Sequence, residues 1–270
     1  MRKEYIVSKQ ESGMRIDEFA YYKGISKKAL KSIKMKGDIL VDFQHQTVRY
    51  VLKEKEKIVF CYPLEENHIE AQDIDIKIVY EDDYLMVVDK PKKMACVPTR
   101  TYPKDTLVNA VMGYYQKKHI TSTVHLVNRL DKDTSGLLLI AKYRDIHHYF
   151  SKDIKQVQRV YHAHVLGNVG AGTIDLPIYK IDKQMKRIID ERGKPSITHY
   201  RQLENYGHYS LVECRLETGR THQIRVHMAA ISHPLVGDSL YGEGEGEFYL
   251  DSVEISFHHP IYNKIIHIKK

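Results

Sequence analysis

At 270 residues, 42% hydrophobic and 29% charged, the chain has room for one large domain or for a medium domain with a small module, and its composition is that of an ordinary globular protein rather than a low-complexity one. No run of about 18 apolar residues is present to span a bilayer, Ile6-Val7 passes straight into Ser8-Lys9-Gln10-Glu11 without a leader pattern, and Cys61, Cys96 and Cys214 are too few and scattered for a disulfide framework or zinc ribbon, so a cytoplasmic protein with reduced thiols is expected. The charge is uneven: residues 1–63 hold 14 Lys/Arg against 8 Asp/Glu, a net of +6, whereas the remainder holds 28 against 27, and such asymmetry predicts an anionic partner for the first quarter.

In chain order, Met14 to Phe19 predicts a short helix that leads through Gly24 to a second one, Ile25 to Gly37. Ser26 is the expected N-cap and Gly37 the expected stop. Ile25 precedes the cap, and Ala29, Leu30 and Ile33 form the inward stripe. Lys27, Lys28, Lys31, Lys34 and Lys36 crowd the remaining surface with no acid among them. A plain solvated face normally mixes both signs, and like charges at helical spacing repel by a few tenths of a kcal/mol per pair. Polyphosphate would neutralise that repulsion, so the lysines are candidate nucleic-acid contacts. Residues 38–42 and 48–59 read as strand, and Pro63 to His68 as a linker. The stretch from Met14 to Val48 resembles an S4 RNA-binding module, departing where Phe43-Gln44-His45-Gln46 replaces the usual Asn-Gly turn. Domains are therefore expected at residues 1–65, a small α/β module of S4 type, and 66–270.

Beyond the linker, residues 74–80 alternate as a half-buried strand should, and 84–88 resume as strand until Pro91 ends it. Residues 106–116 have helical periodicity. From Val124 onward short strand-like runs alternate with turns, interrupted by one helix near residues 145–155. This pattern predicts an α+β fold, a large mixed and mostly antiparallel sheet with peripheral helices.

Asn128 to Leu139, NRLDKDTSGLLL, places an acid at the mouth of an apolar run of strand length. A calcium loop starting at Asp131 fails at its twelfth position, which is Lys142 rather than Glu. Ser135 lacks the G-x-S-x-G elbow of a hydrolase nucleophile. Asp131 and Asp133 stand too close for paired glycosidase acids. A plain turn cap remains open for Asp131. Two further segments carry polar groups at expected strand edges. Gln158 to Gly167, QRVYHAHVLG, has Tyr161 at its beginning. Glu217 to Ala229, ETGRTHQIRVHMA, has Arg220 before an alternating run with Ile224, Val226 and Met228 on one face. An Arg near Asp131 would favour its charged form, as a structural salt bridge or as a held catalytic group. His162 and His164 share a strand face, but two ligands without a third do not make a metal site.

Taken together, NRLDKDTSGLLLIAK, RVYHAHVLG and ETGRTHQIRVHMA with HPLVGDSLYG resemble the motif set of the RluA-type pseudouridine synthases. IVYEDDYLMVVDKP and DTLVNAV fit the same family upstream. The resemblance covers most of residues 74–257, and an S4 module in front is a frequent arrangement there. It implies that Asp131 is the catalytic carboxylate that acts on a uridine while its glycosidic bond breaks and carbon 5 joins the sugar. Tyr161 would stack on the base and help remove the carbon 5 proton, and Arg220 would pair with Asp131. Arg129 would hold the flipped nucleotide, and Ile224 would wall the pocket. The reaction is an isomerisation, so no cofactor or metal is expected. The implied partner is RNA, with large-subunit ribosomal RNA as the first expectation, and the protein is expected to be a monomer. The alternatives are a transfer-RNA-directed synthase, a silent RNA-binding or ribosome assembly protein, or a glycosidase that stops after cleavage. The chain departs from the family at Asn128, where His is usual, at Arg159, where Lys is common, and in Lys92 to Pro98, which lacks the usual Gly and His-Pro.

Overall fold

The computed structural model describes residues 2–63 and 69–270. The chain divides into two compact units, residues 1–68 with 119–123 and residues 69–118 with 124–270. The predicted boundary between 65 and 66, and all of the expected linker except Pro63, lie outside the described residues.

The first unit contains β1 (Arg2–Ile6), α1 (Ile16–Tyr22), α2 (Lys27–Lys36), β2 (Asp38–Val41), β3 (Gln44–His45) and β4 (Lys57–Cys61). The strands form one antiparallel sheet in the order β1-β4-β2-β3. Helix α2 starts and stops where its sequence dictates: Ser26 Oγ accepts from the Ala29 amide at 3.2 Å, and the Gly37 amide closes on Ile33 O at 2.9 Å. Ile25, Leu30 and Ile33 are buried with Phe19, Ile39 and Phe60, which leaves Lys27, Lys28, Lys31 and Lys34 exposed. The hairpin after β2 keeps a two-residue turn without Asn-Gly, because Asp42 and Phe43 both take positive φ, 46° and 67°. The strand expected over 48–59 is shorter. Glu56 accepts from the Tyr50 hydroxyl and the Lys53 amide, both at 2.7 Å, so its carboxylate holds a turn and strand pairing begins only at Lys57.

The second unit is built on a ten-stranded sheet. In chain order come β5 (Lys77–Glu81), β6 (Leu85–Lys90), α3 (Leu107–Lys117), β7 (His125–Leu126), β8 (Ser135–Ala141) and α4 (Arg144–Lys152). These are followed by β9 (Val157–Leu166), β10 (Ala171–Asp175), the small hairpin β11 (Ile178–Lys180) and β12 (Arg187–Ile189), β13 (Ile197–Asn205) and β14 (Tyr209–Leu216). Last are α5 (Gln223–Ala230), β15 (Leu250–His258) and β16 (Ile265–Lys269). The strand order is β10-β13-β14-β9-β15-β8-β6-β5, with β16 on β15 and β7 on β8. This is the expected α+β class, and the pairings are antiparallel except for β8 with β15.

That parallel seam is short, with Asp251 opposite Ser135 and Ser252 opposite Gly136. It is fastened by Ser135 Oγ donating to Asp251 Oδ1 at 2.6 Å and by Lys270 Nζ lying 3.0 Å from both Asp89 and Asp251. Gly136 is required there: its φ is +105°, and a Cβ would stand 2.3 Å from Ser252 O. Beneath, Leu85, Val87, Leu137 and Leu139 from one side of the seam pack with Val157, Ile255 and Phe257 from the other.

One predicted strand is a helix. Residues 224–228 belong to α5, in which Gln223, Ile224, Val226, His227 and Met228 are all buried. A helix enclosed on several sides is not restricted to a 3.6-residue apolar stripe, and here its buried residues imitate strand alternation. Gln223 helps to start it, its Oε1 accepting from Thr218 Oγ1 and the Arg220 amide at 2.8 and 2.9 Å.

Candidate active site

The loop before β8, the start of β9 and the first turn of α5 line a cavity of about 400 Å³ in the second unit. Asp131, Tyr161, Arg220, Arg129 and Ile224 all line it, so the sequence motifs of this unit converge on one place.

Asp131 is fixed through its backbone, its carbonyl accepting from the Thr134 amide at 3.2 Å. Next to it, Leu130 is buried, and its amide and carbonyl both meet Cys96 Sγ, at 3.4 and 3.1 Å. Lys90, fully buried at the end of β6, donates to Pro91 O, Met94 O and Lys132 O at 2.9, 2.8 and 3.2 Å. One ammonium thus ties two loops together, and its burial pushes its pKa down to about 8. The Asp131 carboxylate caps no turn among the described residues. Its side chain is 27% exposed, and its Oδ2 lies 3.8 Å from Arg225 Nη1 and 3.9 Å from His222 Nε2. Both distances exceed a hydrogen bond, so the acid is held electrostatically while its oxygens remain free to take a substrate proton or atom.

The expected pairing of Arg220 with Asp131 is corrected. Arg220 is exposed, and its Nε donates to Pro195 O at 3.2 Å. The guanidinium beside Asp131 is that of Arg225, because residues 222 and 225 stand three apart on a helix and so share a face, which strand spacing would not allow. Arg225 is itself clamped: its Nε and Nη2 donate to the two carboxylate oxygens of buried Asp238 at 2.7 and 2.6 Å, and it lies over the rings of Tyr241 and Phe248. Burial works against both charges, but the paired hydrogen bonds outweigh it, raising Arg225 above and holding Asp238 below their ordinary values.

Tyr161 is 5% exposed, and burial raises its phenol, which therefore enters any reaction protonated. Two residues earlier on the same strand face, Arg159 is 4% exposed, its pKa lowered by burial. Its Nε donates to Val157 O, while its Nη2 is a buried donor with no hydrogen-bond partner among the described residues. Gly219 makes room for it, since a Cβ there would stand 2.8 Å from Arg159 Nη1. Asn128, the departure from the family motif, accepts from the Leu139 amide at 2.8 Å, and its Nδ2 is likewise buried and unpartnered at the cavity wall. A buried donor costs free energy while unpaired, so these two are natural partners of substrate oxygens.

Sequence reasoning missed Arg225, His222 and Lys90. The i, i+3 spacing of His222 and Arg225 was the available signal, hidden by the strand assignment. No group of three His, Cys, Asp or Glu side chains able to hold a metal ion occurs among the described residues, and no helix among them is long and apolar enough to cross a membrane.

The profile of the family described as RNA pseudouridylate synthase matches residues 84–230. An RNA pseudouridine synthase of Bacillus subtilis (strain 168), YjbO, described as uncharacterized, is 38% identical over 259 residues, covering 92% of each chain. Ribosomal large subunit pseudouridine synthase D of Salmonella typhimurium is 42% identical over 182 residues, 66% of this chain and 56% of that protein. The chain thus spans little more than half the length of that second relative. Among solved structures, Human RNA Pseudouridylate Synthase Domain Containing 1 shares the fold with a TM-score of 0.59 at 24% identity, covering 76% of this chain and 85% of that one. All the residues lining the cavity around Asp131 except Leu250 lie within the matched segment, and the chain belongs to the RNA pseudouridylate synthase family, enzymes that isomerise uridine in RNA.

Proposed function

We propose that the protein isomerises a uridine of large-subunit ribosomal RNA in the cytoplasm, with Asp131 as the carboxylate that engages the flipped nucleotide. The ribosomal target is supported by the relatives named ribosomal large subunit pseudouridine synthase D. The observation that carries the catalytic role is the Asp131 carboxylate itself: open to the cavity, uncommitted in hydrogen bonding and 3.8 Å from a clamped guanidinium. Extruding a uridine costs a few kcal/mol of stacking. The Tyr161 ring, at the cavity wall, returns about 1–3 kcal/mol by stacking on the base. Because its phenol is protonated, Tyr161 can help remove the carbon 5 proton only by passing its own proton on to another acceptor. Ile224 closes the apolar side. Arg129 and Arg220, both exposed at the rim, meet the RNA backbone. The first unit, with two helices on a four-stranded sheet and a Lys-rich α2, acts as an S4-like RNA-binding module.

The test is direct. Asp131→Asn is expected to abolish pseudouridine formation while RNA affinity persists; retained turnover would remove Asp131 from the chemistry. Mapping pseudouridines in total RNA from cells with and without the gene is expected to show a lost site in large-subunit ribosomal RNA. A site lost from transfer RNA instead would overturn the ribosomal assignment, and free uracil in place of pseudouridine would identify a glycosidase.

A further inference from the structure

His222 has a conformation and a set of neighbours that the reading above does not use. It sits at the start of α5 with φ +59°, in the left-handed region. Its ring is half-buried, with Nε2 3.9 Å from Asp131 Oδ2 and Nδ1 2.8 Å from the Tyr241 hydroxyl. That hydroxyl also receives the backbone amide of Arg187, from β12, at 2.8 Å. The phenol oxygen therefore accepts from Arg187, and the acceptor within reach of its own proton is His222 Nδ1. A neutral imidazole that accepts at Nδ1 carries its proton on Nε2, the nitrogen facing the carboxylate.

We propose that Tyr241 fixes the tautomer of His222, and that His222 is a positioning residue whose Nε2–H, 3.9 Å from Asp131 Oδ2 at rest, closes to a hydrogen bond that orients the carboxylate as it engages the nucleotide. The inference rests on the reading of Asp131 as the catalytic acid. The charged and titratable groups facing His222 are Asp131, Arg225, Arg187, Asp238 and Tyr241. Burial lowers its pKa, opposed by Asp131 and reinforced by Arg225, so it is neutral at pH 7 and a tautomer is defined. A charged imidazole would donate from both nitrogens, so the Tyr241 hydroxyl would accept from it and leave its own proton without this acceptor. Neutrality also leaves Arg225 as the cation beside Asp131, while His222 supplies direction.

Two substitutions separate this role from a structural one. In His222→Gln the side-chain amide reaches the place of Nε2, whereas in His222→Asn it reaches only that of Nδ1. Backbone strain favours the opposite order, because Asn tolerates the left-handed region better than Gln. We expect His222→Asn to lower kcat about tenfold or more with KM nearly unchanged, the worth of a hydrogen bond to a charged group. His222→Gln should recover most of that loss. Tyr241→Phe should lower kcat in the wild-type background but add little to His222→Gln, which has no tautomer to fix. Nitrogen-15 spectra of the imidazoles should show His222 protonated at Nε2 in the wild type and redistributed in Tyr241→Phe. If Asn equals or exceeds Gln, or the wild-type proton resides on Nδ1, the proposal is wrong. The spectrum requires no turnover, so loss of the Asp131 role through an active Asp131→Asn variant is distinguishable from loss of this one.

Discussion

Arg220 and Arg225 stand five residues apart in one motif and occupy different physical situations. Among the described residues, Arg225 is the sole side-chain hydrogen-bond partner of the buried acid Asp238, which also accepts from the Leu240 and Tyr241 amides. Removing the guanidinium strands a charge in the interior, so Arg225→Gln is expected to cost about 3–5 kcal/mol of stability. Arg220 is exposed, and Arg220→Gln is expected to stay within about 0.5 kcal/mol. Urea unfolding of both variants measures the difference, and equal losses would mean that Asp238 does not depend on the Arg225 guanidinium. Arg225→Lys should not restore stability, since one ammonium cannot make the two parallel bonds to Asp238. At this scale the convergence of Asp131, Tyr161 and Ile224 on one cavity was legible because their motifs surround them. Arg225 was not, because the partner of an acid is a matter of which face it occupies, and that depends on the period of the element.

Helix α2 illustrates how much a local code can specify. Its cap, its stop, its buried stripe and its exposed lysines all follow from residues within one turn of each other. If those lysines contact phosphates, replacing Lys27, Lys28 and Lys31 with Ala should flatten the dependence of RNA affinity on salt. Each lost contact should reduce the logarithmic slope by roughly 0.7 to 0.9. Affinity titrations across salt concentrations read this out, and an unaltered slope would assign the basic face another purpose. Helix α5 is the contrary example. Its residues are held by Thr198, Ile197 and Leu176, remote in sequence, through Gln223 and His227, and no window along the chain contains that information. Strand order was likewise out of reach, because β8 finds β15 across more than a hundred residues.

For the molecule as a whole, the α+β class and the mostly antiparallel sheet were legible in the run of short strands, since alternation and turn residues are local properties. A consequence of the whole fold is its response to acid. His162, His164, His222, His227 and His259 are all held below the ordinary value of 6.5, in each case chiefly by burial. His227 is the clearest, fully buried with Thr198 Oγ1 on one nitrogen and Leu176 O on the other. As pH falls through about 6.5, the unfolded chain takes up protons that these folded imidazoles refuse, so stability must decline with acidity in that window. Urea unfolding at about pH 7.5 and about pH 5.5 is expected to give a lower free energy at the acid end. A flat or rising profile would mean that the imidazoles charge freely in the native state.

The parallel seam between β8 and β15 decides when the enzyme comes into being. Asp131 precedes β8, whereas Tyr161 rides on β9 and His222 and Arg225 on the segment after β14, beyond the seam. Each half of the sheet can zip by antiparallel neighbours, but the acid meets its companions only after the longest loop has closed, an entropically slow event. During refolding, turnover should therefore return with the last kinetic phase rather than with the bulk of secondary structure. A nascent chain would be unable to modify RNA until its C-terminal strands had emerged and docked.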